Sequence, residues 1–345
     1  MTAPTHQGDR GDLPPGASHE VAAGVFAYVQ PDGSWWINNT GFIVGGGQVC
    51  AIDTSSTERR TRRLMGAMRS VTALPVRTVV NTHHHGDHTN GNSLFGDAVI
   101  VGHANCRSNM EGQRVGGLES VFGEVDWGEL TVVPPNLTFD DRLALHIGEV
   151  RVELVYVGTS AHTTGDAVAW LPEQGVLFSG DLVFNGGTPF VLMGSVAGSL
   201  DALALLRSFA ASTIVPGHGA VCGPEQIDVV ESYLLWLQGV ALGAKAAGLS
   251  PLEAARATDL GEYADWLDPE RIVGNLHRAY MEIPDDGAED APDAGAARPG
   301  AEDGPDAGAA RQGSERSERG APADLLAAFS DMIAYNGGRH LTCHA

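Results

Sequence analysis

At 345 residues and 36.1 kDa, with 43% hydrophobic residues, the chain can bury a sizeable core in one large domain or two small ones. A formal net charge of −22 leaves no excess of Lys and Arg to release counterions, which argues against a nucleic-acid partner. Four scattered cysteines (Cys50, Cys106, Cys222, Cys343), no secretory apolar core in residues 1–20 and no run expected to span a bilayer read as a cytoplasmic protein with reduced thiols and no membrane contact.

Residues 1–20, polar and rich in Gly, Pro and Thr, read as a disordered arm. Strands are expected over 25–29, 41–44 and 49–52, separated by Pro31-Asp32-Gly33 and Gly45-Gly46-Gly47. Residues 57–70 set Leu64, Met65 and Met68 among arginines, an amphipathic helical pattern. A strand over 76–80 then runs into His83-His84-His85-Gly86-Asp87-His88. Four imidazoles and a carboxylate within six positions make a poor core and a good donor set for a divalent transition ion such as zinc. A solvated polyhistidine turn is the competing reading. It is weakened by the internal position, the Gly86-Asp87 interruption and the partners downstream.

Those partners recur. The strand-like stretch 152–157 leads into Gly158-Thr159-Ser160-Ala161-His162, and an apolar strand over 176–181 is expected to end on Asp181. Another, Ile214-Val215-Pro216-Gly217-His218, ends on a histidine. Each time an apolar segment stops at a ligand-type residue beside glycine, whose freedom lets backbone approach a ligand closely. Helices are expected over 225–246, from Ser250-Pro251 onward, and over 269–282; His277 in the last is given no ligand role. Alternating strands and helices imply an α/β architecture with helices covering packed sheets. Residues 284–322 hold a tandem duplication (292–298 repeated at 305–311) in an Ala/Gly/Pro/Asp tract, which reads as a flexible linker. Residues 323–345 read as an amphipathic helix and tail docking back on the domain.

The motifs in this order resemble the metallo-β-lactamase superfamily over most of residues 20–283. The resemblance implies an αββα sandwich, a catalytic domain at 21–283 and a C-terminal helical extension. It further implies one metal held by His83, His85 and His162 and a second by Asp87, His88 and His218, with Asp181 bridging. His84 falls at a variable position of the motif. Asp53 matches the family's early aspartate, with a supporting rather than ligating role. No cysteine falls at a ligand position, which disfavours a β-lactam substrate, while Asp181 matches hydroxyacylglutathione hydrolases and related esterases. The inserted domain and basic surface expected of nuclease relatives are lacking.

Residues 188–200 and 271–280 resemble the second-ring cyclase/thioesterase branch of bacterial aromatic polyketide pathways. Trp35, Trp36, Phe190 and Met193 are then candidates to line a flat apolar cleft. The expectation is a dinuclear zinc acyl hydrolase, with two Zn2+ per chain and Asp87 orienting the attacking water. It would be a polyketide cyclase/thioesterase with an acyl carrier protein as transient partner. The donor set also admits iron or manganese. The alternatives are a general esterase, lactonase or thioesterase of small substrates, and an iron-dependent dioxygenase-type relative.

Overall fold

A computed structural model of the chain describes residues 14–284 and 324–345. One sheet has seven strands in chain order: β1 (Ala17–Ala22), β2 (Val25–Val29), β3 (Thr40–Gly45), β4 (Gln48–Ile52), β5 (Val76–Val80), β6 (Val99–His103) and β7 (Leu137–Phe139). Pairing is antiparallel from β1 to β4 and parallel from β4 to β7. The second sheet comprises β8 (Arg142–Ile147), β9 (Val150–Tyr156), β10 (Ala167–Leu171), β11 (Val176–Asn185) and β12 (Thr213–Gly219), in the order β12-β11-β10-β9-β8. Only its β11–β12 pair is parallel.

Alternation along the strands decides the layers. In β3, β4 and β5, Ile43, Ile52 and Val80 face the second sheet and meet Leu154, Ala169, Phe178 and Val215. Their neighbours Phe42, Ala51 and Val79 face outward onto Leu64 and Met68 of α1 (Glu58–Val71). Thr57 caps that helix by accepting from the Arg60 amide. Short helices α2 (Gly86–Thr89), α3 (Ala104–Met110) and α4 (Glu119–Phe122) follow. The outer face of the second sheet is covered by α5 (Val196–Ser208), α6 (Glu225–Ala246), α7 (Pro251–Ala257) and α8 (Arg271–Glu282). Ser250 and Glu253 close a reciprocal capping box on α7, at the start expected from Ser250-Pro251. The order helix, sheet, sheet, helix is the expected αββα sandwich. α9 (Leu325–Tyr335) docks on α8 through buried Ala328 and Met332.

Three expectations need correction. Residues 17–20 are not an arm: they belong to β1, which pairs antiparallel with β2 from Ala17↔Val29 to Ala22↔Val25, backbone bonding that polar side chains do not prevent. The apolar strand does not end on Asp181 but runs on through Leu182-Val183-Phe184, and its pairing with β12 shifts register on both sides of Gly180. Finally, α6 does reach the length and hydropathy of a membrane span, although no such run was expected. In this fold it buries Ile227, Val230, Tyr233, Leu234, Leu237 and Ala241. The first 13 residues and the expected linker (285–322 of it) lie outside the described residues.

The Phe178 ring of β11 packs directly on Gly41 of β3: a Cβ on Gly41 would lie 2.1 Å from Phe178 Cε1. Gly41→Ala is therefore expected to lower stability by about 1–3 kcal/mol through overpacking. Chemical denaturation checks this, and an unchanged midpoint would contradict the close approach.

Candidate metal centre

The carboxyl ends of β4, β5 and β12 converge on one rim of the sandwich. β5 delivers His83, and the chain then turns through His85, the N-cap of α2, to Asp87 and His88 in its single turn. His162 comes from the loop between β9 and β10, Asp181 from within β11 and His218 from the end of β12. These seven side chains form two groups, His83/His85/His162/Asp181 and Asp87/His88/Asp181/His218. In each group the donor atoms all lie within 4.8 Å of one another. The structure thus brings together every residue expected as a ligand, with Asp181 in both groups. His84 is buried but belongs to neither.

Hydrogen bonds on the far side of each ring fix which nitrogen faces inward. His162 Nδ1 donates to the Phe190 carbonyl (2.5 Å), His218 Nδ1 to the Gly33 carbonyl (3.1 Å) and His88 Nδ1 to Asp53 Oδ2 (2.8 Å). Thr82 donates its hydroxyl hydrogen to Asp53 Oδ2 (2.7 Å), so at 3.0 Å its oxygen accepts from His83 Nδ1. Asp53 also accepts from the Thr82 amide (2.8 Å), which makes it the brace that aligns both His83 and His88. With the outer nitrogens hydrogen-bonded outward, the four Nε2 atoms are the ones aimed at the centre. His85 turns the other way: Nε2 meets Met193 Sδ at 3.2 Å and Nδ1 faces His162 Nε2 at 2.8 Å.

These groups fit cations. His83 Nε2, His88 Nε2 and Asp181 Oδ1 are buried without a hydrogen-bond partner, a costly arrangement unless something positive lies among them. His88 Nε2 and Asp181 Oδ1 are 3.0 Å apart, yet out of hydrogen-bond alignment. Asp181 Oδ2 lies 3.3 Å from both His162 Nε2 and His218 Nε2, and His218 Nε2 lies 3.3 Å from Asp87 Oδ2. Burial and the surrounding imidazoles hold His83 and His85 well below the usual histidine range, the neutral form a metal requires. Burial also opposes charge on His218, but Asp181 and Asp87 outweigh it and raise the ring to about 9. Asp181 is held low against its own burial by His218, His88 and His162. The pocket therefore favours positive charge among its carboxylates, in the form of protons or of metal.

The centre opens into a cleft of about 110 Å3 walled by Trp35, Trp36, Leu118, Phe122, Phe184, Phe190, Met193 and Phe329. The four apolar residues expected at a cleft, Trp35, Trp36, Phe190 and Met193, all line it. Sequence reading missed Phe184, whose ring stacks on His218 at 5.0 Å and 2°, and Arg271, whose guanidinium lies 4.1 Å over Trp35. It also missed Gly217, where a Cβ would come within 1.9 Å of Asp181 Oδ1. The Pro-Gly-His run marks that glycine as special, but its partner is visible only in three dimensions. The C-terminal tail is tied down beside the cleft: its Leu341 amide bonds the Val121 carbonyl and Arg60 donates to the His344 carbonyl.

Since Asp53 aligns two ligands without joining either group, Asp53→Asn is expected to weaken metal binding by about tenfold to a hundredfold. Competition with a chromogenic chelator checks this beside an unchanged far-UV spectrum. Equal affinity would show that the brace is dispensable.

Known proteins place this geometry. A family model for the metallo-beta-lactamase superfamily matches residues 33–218, a span that contains all seven converging side chains. A hydroxyacylglutathione hydrolase of Rhodospirillum rubrum is 31% identical over 182 residues, 51% of this chain and 60% of that protein. A linear primary-alkylsulfatase of a Pseudomonas species is 25% identical over 221 residues, 52% of this chain and 41% of that protein. The chain thus spans at most 60% of the length of these curated relatives. Among solved structures, a metallo-beta-lactamase from Pontibacter korlensis superposes with a TM-score of 0.54 at 19% identity, covering 64% of this chain and 99% of its own. The FIM-1 enzyme of Pseudomonas aeruginosa does so with 0.53 at 22% identity, covering 66% and 98%. These superpositions speak for the fold; the family match, joined to the two His/Asp groups, settles the membership. The chain belongs to the metallo-β-lactamase superfamily.

Proposed function

We propose that the chain is a dinuclear metal-dependent hydrolase of thioesters or activated esters that carry an apolar acyl group. One observation carries the reading: two His/Asp groups sharing Asp181 open directly into an aromatic cleft. The nitrogen and oxygen donors, with no cysteine among them, suit two zinc ions. His83, His85 and His162 would hold one, Asp87, His88 and His218 the other, and Asp181 both. Such a pair, when bound, supplies Lewis acidity at a carbonyl oxygen and lowers the pKa of water. Asp87 lines the cleft, so its carboxylate is placed to accept a hydrogen from an incoming water and orient it. The aromatic walls exclude bulk water and hold the acyl chain. We place the activity in the cytoplasm, as the scattered cysteines suggest.

The choice of leaving group rests on what else the cleft contains. Outside the two groups its described lining has no carboxyl, thiol, phenol or further imidazole, and its one cation is Arg271. A thiolate departs without help because its conjugate acid has a pKa of about 8.5, whereas an amine or alkoxide needs a proton donor. Thioesters are favoured over amides on that ground, β-lactams included. The names of several relatives, hydroxyacylglutathione hydrolases, support the same bond class. A narrow cleft of about 110 Å3 suits an acyl group of modest size. A second reading, a cyclase/thioesterase acting on a carrier-bound aromatic polyketide, is favoured by the aromatic walls. It requires that the carrier protein, and not a small thiol, give the better substrate.

Metal-reconstituted protein is expected to cleave acyl thioesters, hydroxyacylglutathione among those tested, and to leave β-lactams intact. Asp87→Ala should keep the fold and lose about a hundredfold or more in turnover. A panel of thioesters, esters and lactones left untouched with zinc, manganese or iron would overturn the proposal.

A further inference from the structure

The C-terminal helix comes back across a long stretch of chain to contribute Phe329 to the cleft. Its ring lies 6.5 Å from both Phe122 and Phe190. Those two rings in turn meet Trp35 edge-on at 5.4 and 5.0 Å, and Trp36 closes on Phe122 at 5.6 Å. Five aromatic side chains from four separate parts of the chain thus form one continuous wall. Phe329 is the member that the rest of α9 is built to hold. Asp331 faces His277 at 2.9 Å, Arg256 donates to the Ala334 carbonyl at 2.8 Å, and Met332 packs where Gly274 leaves α8 bare. The tail beyond it is tied down as well, with Leu341 buried and its amide bonded to the Val121 carbonyl at 2.9 Å, next to Phe122. Helix and tail therefore clamp the Phe122 segment against the tryptophans.

The same wall is short of charge. Arg271, its one cation, is already engaged: its NH2 nitrogen lies 2.8 Å from an Asp268 carboxylate oxygen, NH1 donates to the Thr188 carbonyl at 2.9 Å, and Trp35 covers its face. An acyl group entering here meets aromatic faces and edges; Arg271 Nε and Trp36 Nε1 carry no hydrogen bond, but both are buried and out of reach of a charge on the ligand.

Resting on the hydrolase reading above, we propose that Phe329 is the residue that sets acyl selectivity, and that the acyl group is uncharged and aromatic. Ring-on-ring contact with a properly placed aromatic group is worth about tenfold in binding.

The test compares N-acetylcysteamine thioesters of acetate, phenylacetate and succinate on metal-reconstituted protein. The wild type should prefer phenylacetyl. Phe329→Ala, and to a smaller extent Phe329→Leu, should lower kcat/KM for phenylacetyl by about tenfold and leave acetyl within about twofold. Leu326→Ala, on the exposed side of the same helix, should leave all three unchanged. Binding of the carba-analogue of the phenylacetyl thioester (CH2 in place of sulfur), followed by tryptophan fluorescence, should weaken by the same factor in Phe329→Ala. Selectivity and analogue affinity that survive Phe329→Ala overturn the proposal, as does a preference for the succinyl ester. Failure of the wild type to cleave any thioester while it still binds the analogue would instead overturn the hydrolase reading and leave the wall standing.

Discussion

A single buried carboxylate has to face imidazoles from both sides. Asp181 lies within 3.3 Å of His162 and His218 and 3.0 Å of His88, and is largely buried. Burying an anion is expensive unless positive charge lies against it, and buried nitrogen lone pairs are expensive for the same reason. A pair of cations satisfies both sets at once. The remaining features of the rim follow from keeping that arrangement in register: Asp53 and Thr82 brace the histidines of the β5 edge, two backbone carbonyls fix His162 and His218, and Gly217 leaves room for the Asp181 side chain.

Backbone strain is concentrated in the same place. Among the described residues five non-glycine positions have positive φ, and Asp32, Trp36, Asp53 and Asp268 of these lie on loops around the centre and its cleft. Each costs of order 1–3 kcal/mol, which the sandwich has to offset. Trp36 is thereby turned into the cleft wall, Asp53 toward His88 and Asp268 toward Arg271. The two hydrophobic layers on either side of the paired sheets supply the rigidity that sustains these conformations.

How much of this can be read from the sequence depends on how local the determinants are. The 83–88 run carries its chemistry in six consecutive residues, and apolar runs and helical spacing place β2, β5, α1 and α6 almost to the residue. Asp181, His162 and His218 are legible because each follows an apolar run beside glycine. What escapes is decided by pairing over long distances. β1 exists because β2 offers it an edge, β11 continues past its carboxylate because Leu182-Val183-Phe184 bury behind it, and Phe329 reaches a cleft built from residues 35 to 271. Arg271 looks like an ordinary helix-start cation until its stacking on Trp35 is seen. The aromatic wall of the cleft is similarly made of rings that meet only after folding.

The centre stands or falls on Asp181 serving both groups. Calorimetric titration of metal-free protein with zinc addresses it directly, comparing the wild type with Asp181→Ala and His162→Ala. Two equivalents should bind the wild type, His162→Ala should weaken one of them, and Asp181→Ala should weaken both. Two equivalents bound to Asp181→Ala with unchanged affinity, or a single equivalent in the wild type, would contradict the shared carboxylate.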